Sequence, residues 1–191
     1  MAEVVRRGAL AALLLAVTAT AGCTGADSPP APSSSVPAPI TAPALDVSRY
    51  LAAPCSGVPV PVAVQLGLAT SDDAHETVLV GAGEQAQCRF TSGPPLTAAA
   101  EVRFYPRARP VPLVTGPGST VTATTVDGYP AGQWVLSTGT GGSFTSCQIL
   151  VDVAPQQGVA SLYNGPSGEP IETSCSKARQ LVQGVIANLR R

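Results

Sequence analysis

The clearest periodic pattern of the chain lies near its C-terminal end. Apolar residues recur there at steps of three and four, at Ala178, Leu181, Val182, Val185, Ile186 and Leu189. This spacing places them on one face of an α-helix. Thr173 or Ser174 is expected to cap the helix start, and Arg190 and Arg191 suit its negative end. We expect the apolar face to cover the domain's own sheet rather than a membrane surface or a partner.

Shorter runs upstream have the character of β-strands, and several alternate apolar and polar residues as half-buried strands do. They are Thr77–Val80, Gln87–Thr91, Ala99–Tyr105, Thr120–Val126, Gln133–Ser137, Ser146–Val153 and Val159–Tyr163. The Asp127-Gly128 pair between two of them is a typical hairpin turn. Short connections favour an antiparallel sheet, because parallel strands need long crossovers.

Prolines interrupt the first apolar stretch of the folded part, which runs from Val58 to Leu68. A helical turn is expected before it, over residues 46–51. Pro59 and Pro61 prevent a long regular helix, so we expect a short, irregular one that ends at Gly67. The complete pattern predicts an α+β fold: an antiparallel β-sheet, a C-terminal helix packed on one face and a short irregular N-terminal helix, braced by two disulfides.

The N-terminal residues carry an export signal. Two arginines precede an apolar run from Ala9 to Val17, and small residues precede Cys23. This arrangement predicts a lipoprotein signal peptide over residues 1–22, with Cys23 as the lipidated first residue of the mature protein. The partner implied is the membrane, reached through the lipid on Cys23 from the extracytoplasmic side. An uncut membrane helix is the weaker alternative, because it needs about 20 apolar residues.

Residues 24–44 consist almost entirely of Ser, Pro, Ala, Thr and Gly. Such a segment has too little apolar bulk to repay the entropy of ordering. We therefore expect residues 23–44 to be a lipidated cysteine and a disordered tether, and residues 45–191 to be one extracytoplasmic domain. An O-glycosylated stalk is an open alternative for the tether. Beyond residue 22 the chain has 11 acidic and 9 basic residues, which argues against a nucleic-acid partner.

Four cysteines remain once Cys23 is assigned to lipid, namely Cys55, Cys88, Cys147 and Cys175. Outside the cytosol they predict two disulfides, and their wide spacing with a single histidine in the chain gives no expectation of a metal site or cofactor. Four cysteines allow three pairings. Cys55 and Cys175 each precede a predicted helix, whereas Cys88 and Cys147 lie in predicted strands. We favour pairing like with like, Cys55 with Cys175 and Cys88 with Cys147, over sequential pairing.

Two polar clusters are candidate sites, each with a simpler interpretation. Residues 71–76 group carboxylates with His75, which suits a metal site or an acid–base pair, although consecutive residues rarely converge and such runs are usually solvated loops. Arg103, Arg107 and Arg109 could bind lipid head groups or acidic glycans. An exposed strand end carrying arginines is the simpler interpretation of that cluster.

Two further segments suggest catalytic loops and lack the residues that such loops need. Gly139 to Gly142 lacks the Lys-Ser/Thr that follows a phosphate-binding loop, so it is expected to be a hairpin loop. Ser143 and Ser167 lack the Gly-x-Ser-x-Gly pattern of hydrolases. No catalytic residue is assigned.

The order of the motifs resembles one known family. The motifs are the export signal with Cys23, the tether, Pro54-Cys55, Cys88-Arg89-Phe90, residues 126–131, residues 147–153 and Ser174-Cys175-Ser176-Lys177-Ala178. The chain is similar to actinobacterial lipoproteins of the domain-of-unknown-function family DUF3558. The resemblance implies a small α+β domain outside the cell membrane and no established activity.

These observations lead to three functional hypotheses. The first is a non-enzymatic, lipid-anchored envelope protein whose domain binds an envelope protein or a small ligand. The alternative is a carrier that shelters an apolar or lipid ligand between the sheet and the C-terminal helix. The third is an envelope hydrolase that uses the cluster from Asp72 to Glu76.

Overall fold

The computed structural model describes residues 38–78, 83–94, 97–116, 118–139 and 144–191. Within them, one antiparallel sheet is formed by β1 (Thr70–Val78), β2 (Gly83–Thr91), β3 (Ala99–Tyr105), β4 (Thr122–Val126), β5 (Tyr129–Thr138), β6 (Thr145–Ala154) and β7 (Gln157–Gly165). The strand order is β1-β2-β3-β7-β6-β5-β4. β1 and β4 are therefore the two edge strands of the sheet.

Tight turns explain much of this topology. Asp127 and Gly128 have φ angles of 51° and 88°, the positive values that a two-residue hairpin turn requires. They connect β4 and β5, where Val126 pairs with Tyr129, which confirms the predicted turn. After β3 the chain crosses to the far edge of the sheet and returns strand by strand until β7 pairs with β3.

The helices are α1 (Val60–Gln65), α2 (Pro110–Val114) and α3 (Ile171–Leu189), with short 3₁₀ segments at Ser48–Tyr50 and Pro54–Gly57. α3 packs against β6 and β7. Its predicted apolar stripe is buried along its whole length, at Ala178, Leu181, Val182, Val185, Ile186 and Leu189. The predicted α+β architecture with a C-terminal helix on one face of an antiparallel sheet is confirmed.

α2 lies on the opposite face of the sheet and was not predicted. It packs against a small cluster that includes Leu150 and Ala160. Gly158 permits this close approach, because a Cβ atom there would lie 2.1 Å from Pro110 Cδ. α2 is only five residues long, so its short sequence contains too little periodicity to reveal a helix. We refer to the two sides of the sheet as the α3 face and the α2 face.

The two disulfides join Cys55 to Cys88 and Cys147 to Cys175. The favoured pairing of Cys55 with Cys175 and of Cys88 with Cys147 was therefore wrong. Each bond joins a helical segment to the strand beneath it, with Cα–Cα distances of 4.7 Å and 5.0 Å. Helix-to-strand packing brings these pairs within disulfide reach. β3 and β7 separate Cys88 of β2 from Cys147 of β6. The 3₁₀ segment of Cys55 contacts the end of α3, whereas Cys175 lies near the start of that helix.

Two local predictions differ from the structure. No side chain caps the start of α3, which follows Pro170 directly. Instead of capping the helix, the buried Ser174 hydroxyl donates a hydrogen bond to Glu169 Oε2 at 2.6 Å.

The stretch from Ser71 to Glu76, interpreted as a solvated loop, belongs to β1. Charged residues are common on edge strands, where they remain in water and repel added strands of like charge.

Residues before the predicted domain start at Leu45 also contact the domain. Tyr129 donates its hydroxyl to Pro43 O at 2.6 Å, and Arg109 Nη2 donates to Ala38 O at 2.8 Å. Ile40 packs against the main hydrophobic core. Residues 38–44, which the composition places in the tether, therefore contact the domain through a few specific side chains.

Candidate functional site

The segment before β1 forms a short platform fixed to the sheet by a disulfide. Cys55 lies in the 3₁₀ segment Pro54–Gly57 and is bonded to Cys88 of β2. Pro59 stands directly before α1, where its fixed φ suits a helix start. Gly67 has a φ of 73°, so the backbone turns away from the helix axis after α1. As predicted, the helix is short; its prolines lie at its start, and it ends at Gln65, before the expected end at Gly67.

α1 leaves two valines in solvent. Val60 is 73% exposed and Val64 is 65% exposed, the two largest values among the exposed large hydrophobic residues described. Their neighbour Ala63, in contrast, is buried in the core. Val60 and Val64 lie one turn apart on a helix anchored by Ala63, so they form a small exposed apolar surface.

A cleft of about 110 Å³ lies beside these valines. Its walls include Val60, Val64, Leu68 and Phe90, and Ser71 of β1 contributes to its rim. An apolar cavity of about 150 Å³ is known to hold a benzene molecule, so this cleft has the size of a single aliphatic side chain. We call Val60, Val64 and this cleft the α1 patch.

The space between the sheet and α3 is filled by protein. Ala178, Leu181, Val182, Val185 and Ile186 have no solvent-accessible surface, so no water-sized void lies against them. This packing gives no support to an apolar ligand held between the sheet and the C-terminal helix.

The three predicted basic residues do not form one free cationic surface. Arg109 pairs with the fully buried Asp152, with 2.9 Å between Nε and Oδ2. Burial raises the pKa of Asp152 even though the Val111 amide and Arg109 stabilise its charged form. Arg103 lies against Glu101, and Arg107 is exposed. The arrangement fits neither a free cationic surface nor an exposed strand end, since Arg103 and Arg109 are half-buried and neutralise carboxylates within the domain.

A second polar group lies on strands β2 and β3. Arg103 Nε donates to Gln87 Oε1 at 3.3 Å, and burial raises the pKa of the nearby Tyr105 hydroxyl. Gln85 Oε1 and Gln87 Nε2 are buried without a hydrogen-bond partner. This group is the least satisfied polar region of the described core, and it contains no nucleophile beside a base.

A third polar group holds the start of α3. Lys177 Nζ lies against Glu169 Oε1 and donates to Tyr163 Oη at 3.1 Å. Burial alone would lower the pKa of Lys177, but the hydrogen bonds to Glu169 and Tyr163 raise it. A lysine that is more firmly protonated is a poor general base, so this group is suited to holding the helix rather than to activating Ser174.

The other candidate residues from the sequence lie in β1, in a turn and in a loop. His75 and Glu76 lie in β1, but their side chains fall outside the described part of the structure. Among the described residues, no cluster of three or more His, Cys, Asp or Glu could hold a metal ion. Ser167 is exposed in the turn before α3. Gly139 has a φ of 75°, as a loop glycine does.

Several sequence predictions concern residues that the structure does not describe. Cys23, the signal peptide and most of the tether lie outside the described residues, as do residues 140–143. None of the helices within the described ranges combines the length and the apolar composition needed to cross a bilayer.

Comparison with known protein families identifies the family of this chain. A family model described as "Protein of unknown function (DUF3558)" matches residues 18–188. The chain belongs to this family. The DUF3558 match includes Cys23 and both disulfides, and it ends in the last turn of α3. Searches of the curated proteins and of the solved structures gave no significant match.

The α1 patch of this DUF3558 domain is the feature that sequence reasoning missed. The sequence predicts a short helix that contains Val60 and Val64. It does not predict their exposure, because valine is a residue type that is usually buried. The available signal was the pair of prolines at the helix start and Gly67 after its end, which confine α1 to Val60–Gln65. Exposure of Val60 and Val64 depends on which side of α1 packs against α3.

Proposed function

We propose that this protein is a lipid-anchored, non-catalytic binding module on the outer face of the cell membrane. The sequence of residues 1–23, with its basic start, apolar run and cysteine, supports export and lipidation. Two disulfides within the domain support an oxidising location, since they are rare in reducing cytosol.

The α1 patch is the observation that carries the binding role. Its valines are exposed on a short helix that is anchored by the buried Ala63 and follows the 3₁₀ segment bonded through Cys55 to Cys88, so little conformational entropy would be lost when a partner covers them. Apolar residues gathered around a small cleft are typical of binding surfaces, whereas a single exposed apolar residue is ordinary.

The polar groups favour a binding role over catalysis. Asp152, Arg103 and Lys177 are each paired with an oppositely charged residue. The pairs of Asp152 and Lys177 connect different segments of the fold, and the pair of Arg103 with Glu101 lies within β3. Ser174 is fully buried and hydrogen-bonded to Glu169. A buried hydroxyl beside a protonated lysine cannot attack an external substrate without rearrangement of the start of α3.

Metabolic labelling with an alkynyl palmitate tests the anchor. The wild-type chain should incorporate the label and sediment with membranes. A Cys23→Ala variant should lose the label and should no longer be acylated at its N-terminus. Label retained in this variant, or no label in the wild type, would contradict the proposed anchor.

Site-specific photocrosslinking in intact cells tests the binding role. A photoreactive side chain replaces Val60 in one variant and Leu113 in the other. Leu113 is a suitable control, because it is 46% exposed on α2, on the opposite face of the sheet. A discrete crosslinked product from position 60 and none from position 113 is expected. Equal products from both positions, or none from either, would refute a binding role for the α1 patch.

A further inference from the structure

The two edges of the sheet are treated differently by the rest of the fold. At the β4 edge, Arg179 Nη1 of α3 donates to Thr125 O at 2.8 Å, and Arg190 Nη2 donates to Asp127 O at 2.9 Å. These contacts occupy backbone acceptors of β4 and its turn. At the other edge, no described element pairs with the outer side of β1. An edge of this kind can accept another strand through its free N–H and C=O groups.

The register of β1 defines what an added strand would meet on each face. Ser71 pairs with Phe90, and both line the cleft of the α1 patch. The next residue, Asp72, pairs with Arg89 and is exposed. Successive side chains of a strand point to opposite faces. The side chains of an added strand would therefore alternate between the face with the α1 patch and the face with Asp72.

The charge of β1 selects the chemistry of the added strand. Residues 70–78 contain three carboxylate residues, Asp72, Asp73 and Glu76, and no lysine or arginine. A partner strand with basic residues would therefore be attracted to this edge, and an acidic one would be repelled. The apolar valines of the α1 patch require aliphatic residues at the alternate positions.

We propose that β1 and the α1 patch together bind an extended segment of a partner protein, which adds to the sheet as an eighth strand with alternating aliphatic and basic residues. This inference rests on the proposed binding role and specifies its partner. One aliphatic side chain enters the cleft of about 110 Å³. The backbone of the segment hydrogen-bonds to β1, and its basic side chains lie on the side of Asp72.

Hydrogen–deuterium exchange of the full chain, purified in mild detergent, tests the proposal. The probe is a peptide of alternating valine and lysine, equal in length to β1. Backbone amides of residues 70–78 should exchange more slowly when the probe is present, because hydrogen bonds form along the free edge. A peptide of the same sequence with methylated backbone nitrogens keeps the charges and side chains but cannot form the ladder, and it should give no protection.

Two matched variants test whether the probe binds through the α1 patch or through any exposed apolar residue. Val64→Asp should weaken binding of the probe about tenfold or more, because it places a charge where an aliphatic contact forms. Leu113→Asp introduces the same change on the opposite face and should leave binding unchanged. Both positions are exposed, so neither substitution disturbs the core.

Three results would overturn the proposal. The first is unchanged exchange in β1, and the second is equal protection by the methylated peptide. The third is protection that increases with protein concentration without the probe, which would assign the edge to a second copy of this chain. If β1 shows no protection while crosslinking through position 60 persists, the eighth strand is wrong and the binding module stands. Loss of both signals would refute both proposals.

Discussion

The bond between Cys147 and Cys175 connects the longest helix to a central strand, and its removal gives a quantitative test of the fold. The perturbation is the double variant Cys147→Ala with Cys175→Ala. The two cysteines are separated by 28 residues. In the chain-entropy account, closing a loop of this length stabilises the folded state by about 4 kcal/mol, because it restricts the unfolded chain. Domains of this kind have unfolding free energies of about 5–15 kcal/mol, so the loss is a large fraction of the total.

The second disulfide provides an internal control. Cys55 and Cys88 are separated by 33 residues, so loop entropy predicts almost the same loss for their double alanine variant. Cys88 and Cys147 are both fully buried, so a clear excess for the Cys147/Cys175 variant would measure the packing of α3 on β6, which is more extensive than that of the 3₁₀ segment on β2. Equal losses would show that restriction of the unfolded chain dominates.

Equilibrium unfolding in urea, followed by far-ultraviolet circular dichroism, gives both free energies. A loss below about 1 kcal/mol for either variant would refute the loop-entropy reasoning. Connectivity has its own test, in which the single variant Cys55→Ala is alkylated under non-reducing conditions. The free thiol should be Cys88. A free thiol at Cys175 would restore the pairing that the sequence had favoured.

Three other predictions concern close packing and buried charge. Gly158→Ala should destabilise the domain by about 1–3 kcal/mol in urea unfolding, because its Cβ would lie 2.1 Å from Pro110 Cδ; an unchanged midpoint would contradict this contact. Burial raises the pKa of Asp152 above 3.8, so its titration lowers stability as pH rises above that value. Arg109→Met should enlarge this loss between about pH 4 and about pH 7 by about 3 kcal/mol, and parallel pH profiles for both proteins would refute the pairing. The pKa of Lys177 is raised above 10.5, so stability should fall as pH rises beyond this value, and the fall should be smaller in Lys177→Met, where Tyr105 still titrates with a raised pKa; an equal fall in both proteins would contradict the contribution of Lys177.

Much of the fold follows from local patterns in the sequence. The stripe from Ala178 to Leu189 predicts α3, because residues three and four apart share one helix face. Alternating runs predict strands near most of the observed positions, and β3 has the predicted bounds of Ala99 and Tyr105. Asp127-Gly128 predicts its turn, since these residues tolerate positive φ angles. Each of these features depends on interactions between residues close in sequence.

The tertiary structure alone decided the features that depend on distant contacts. The disulfide pairing arises because the segment of Cys55 packs against β2 and the start of α3, with Cys175, packs against β6. No local sequence pattern predicts either contact. β1 forms through an acidic stretch because β2 supplies its hydrogen-bond partners. Val60 and Val64 have the residue type of a core, yet they lie in solvent because the other side of α1, with the buried Ala63, packs against α3. Burial is a property of the assembled chain, so the sequence determined the elements and packing determined the candidate binding surface.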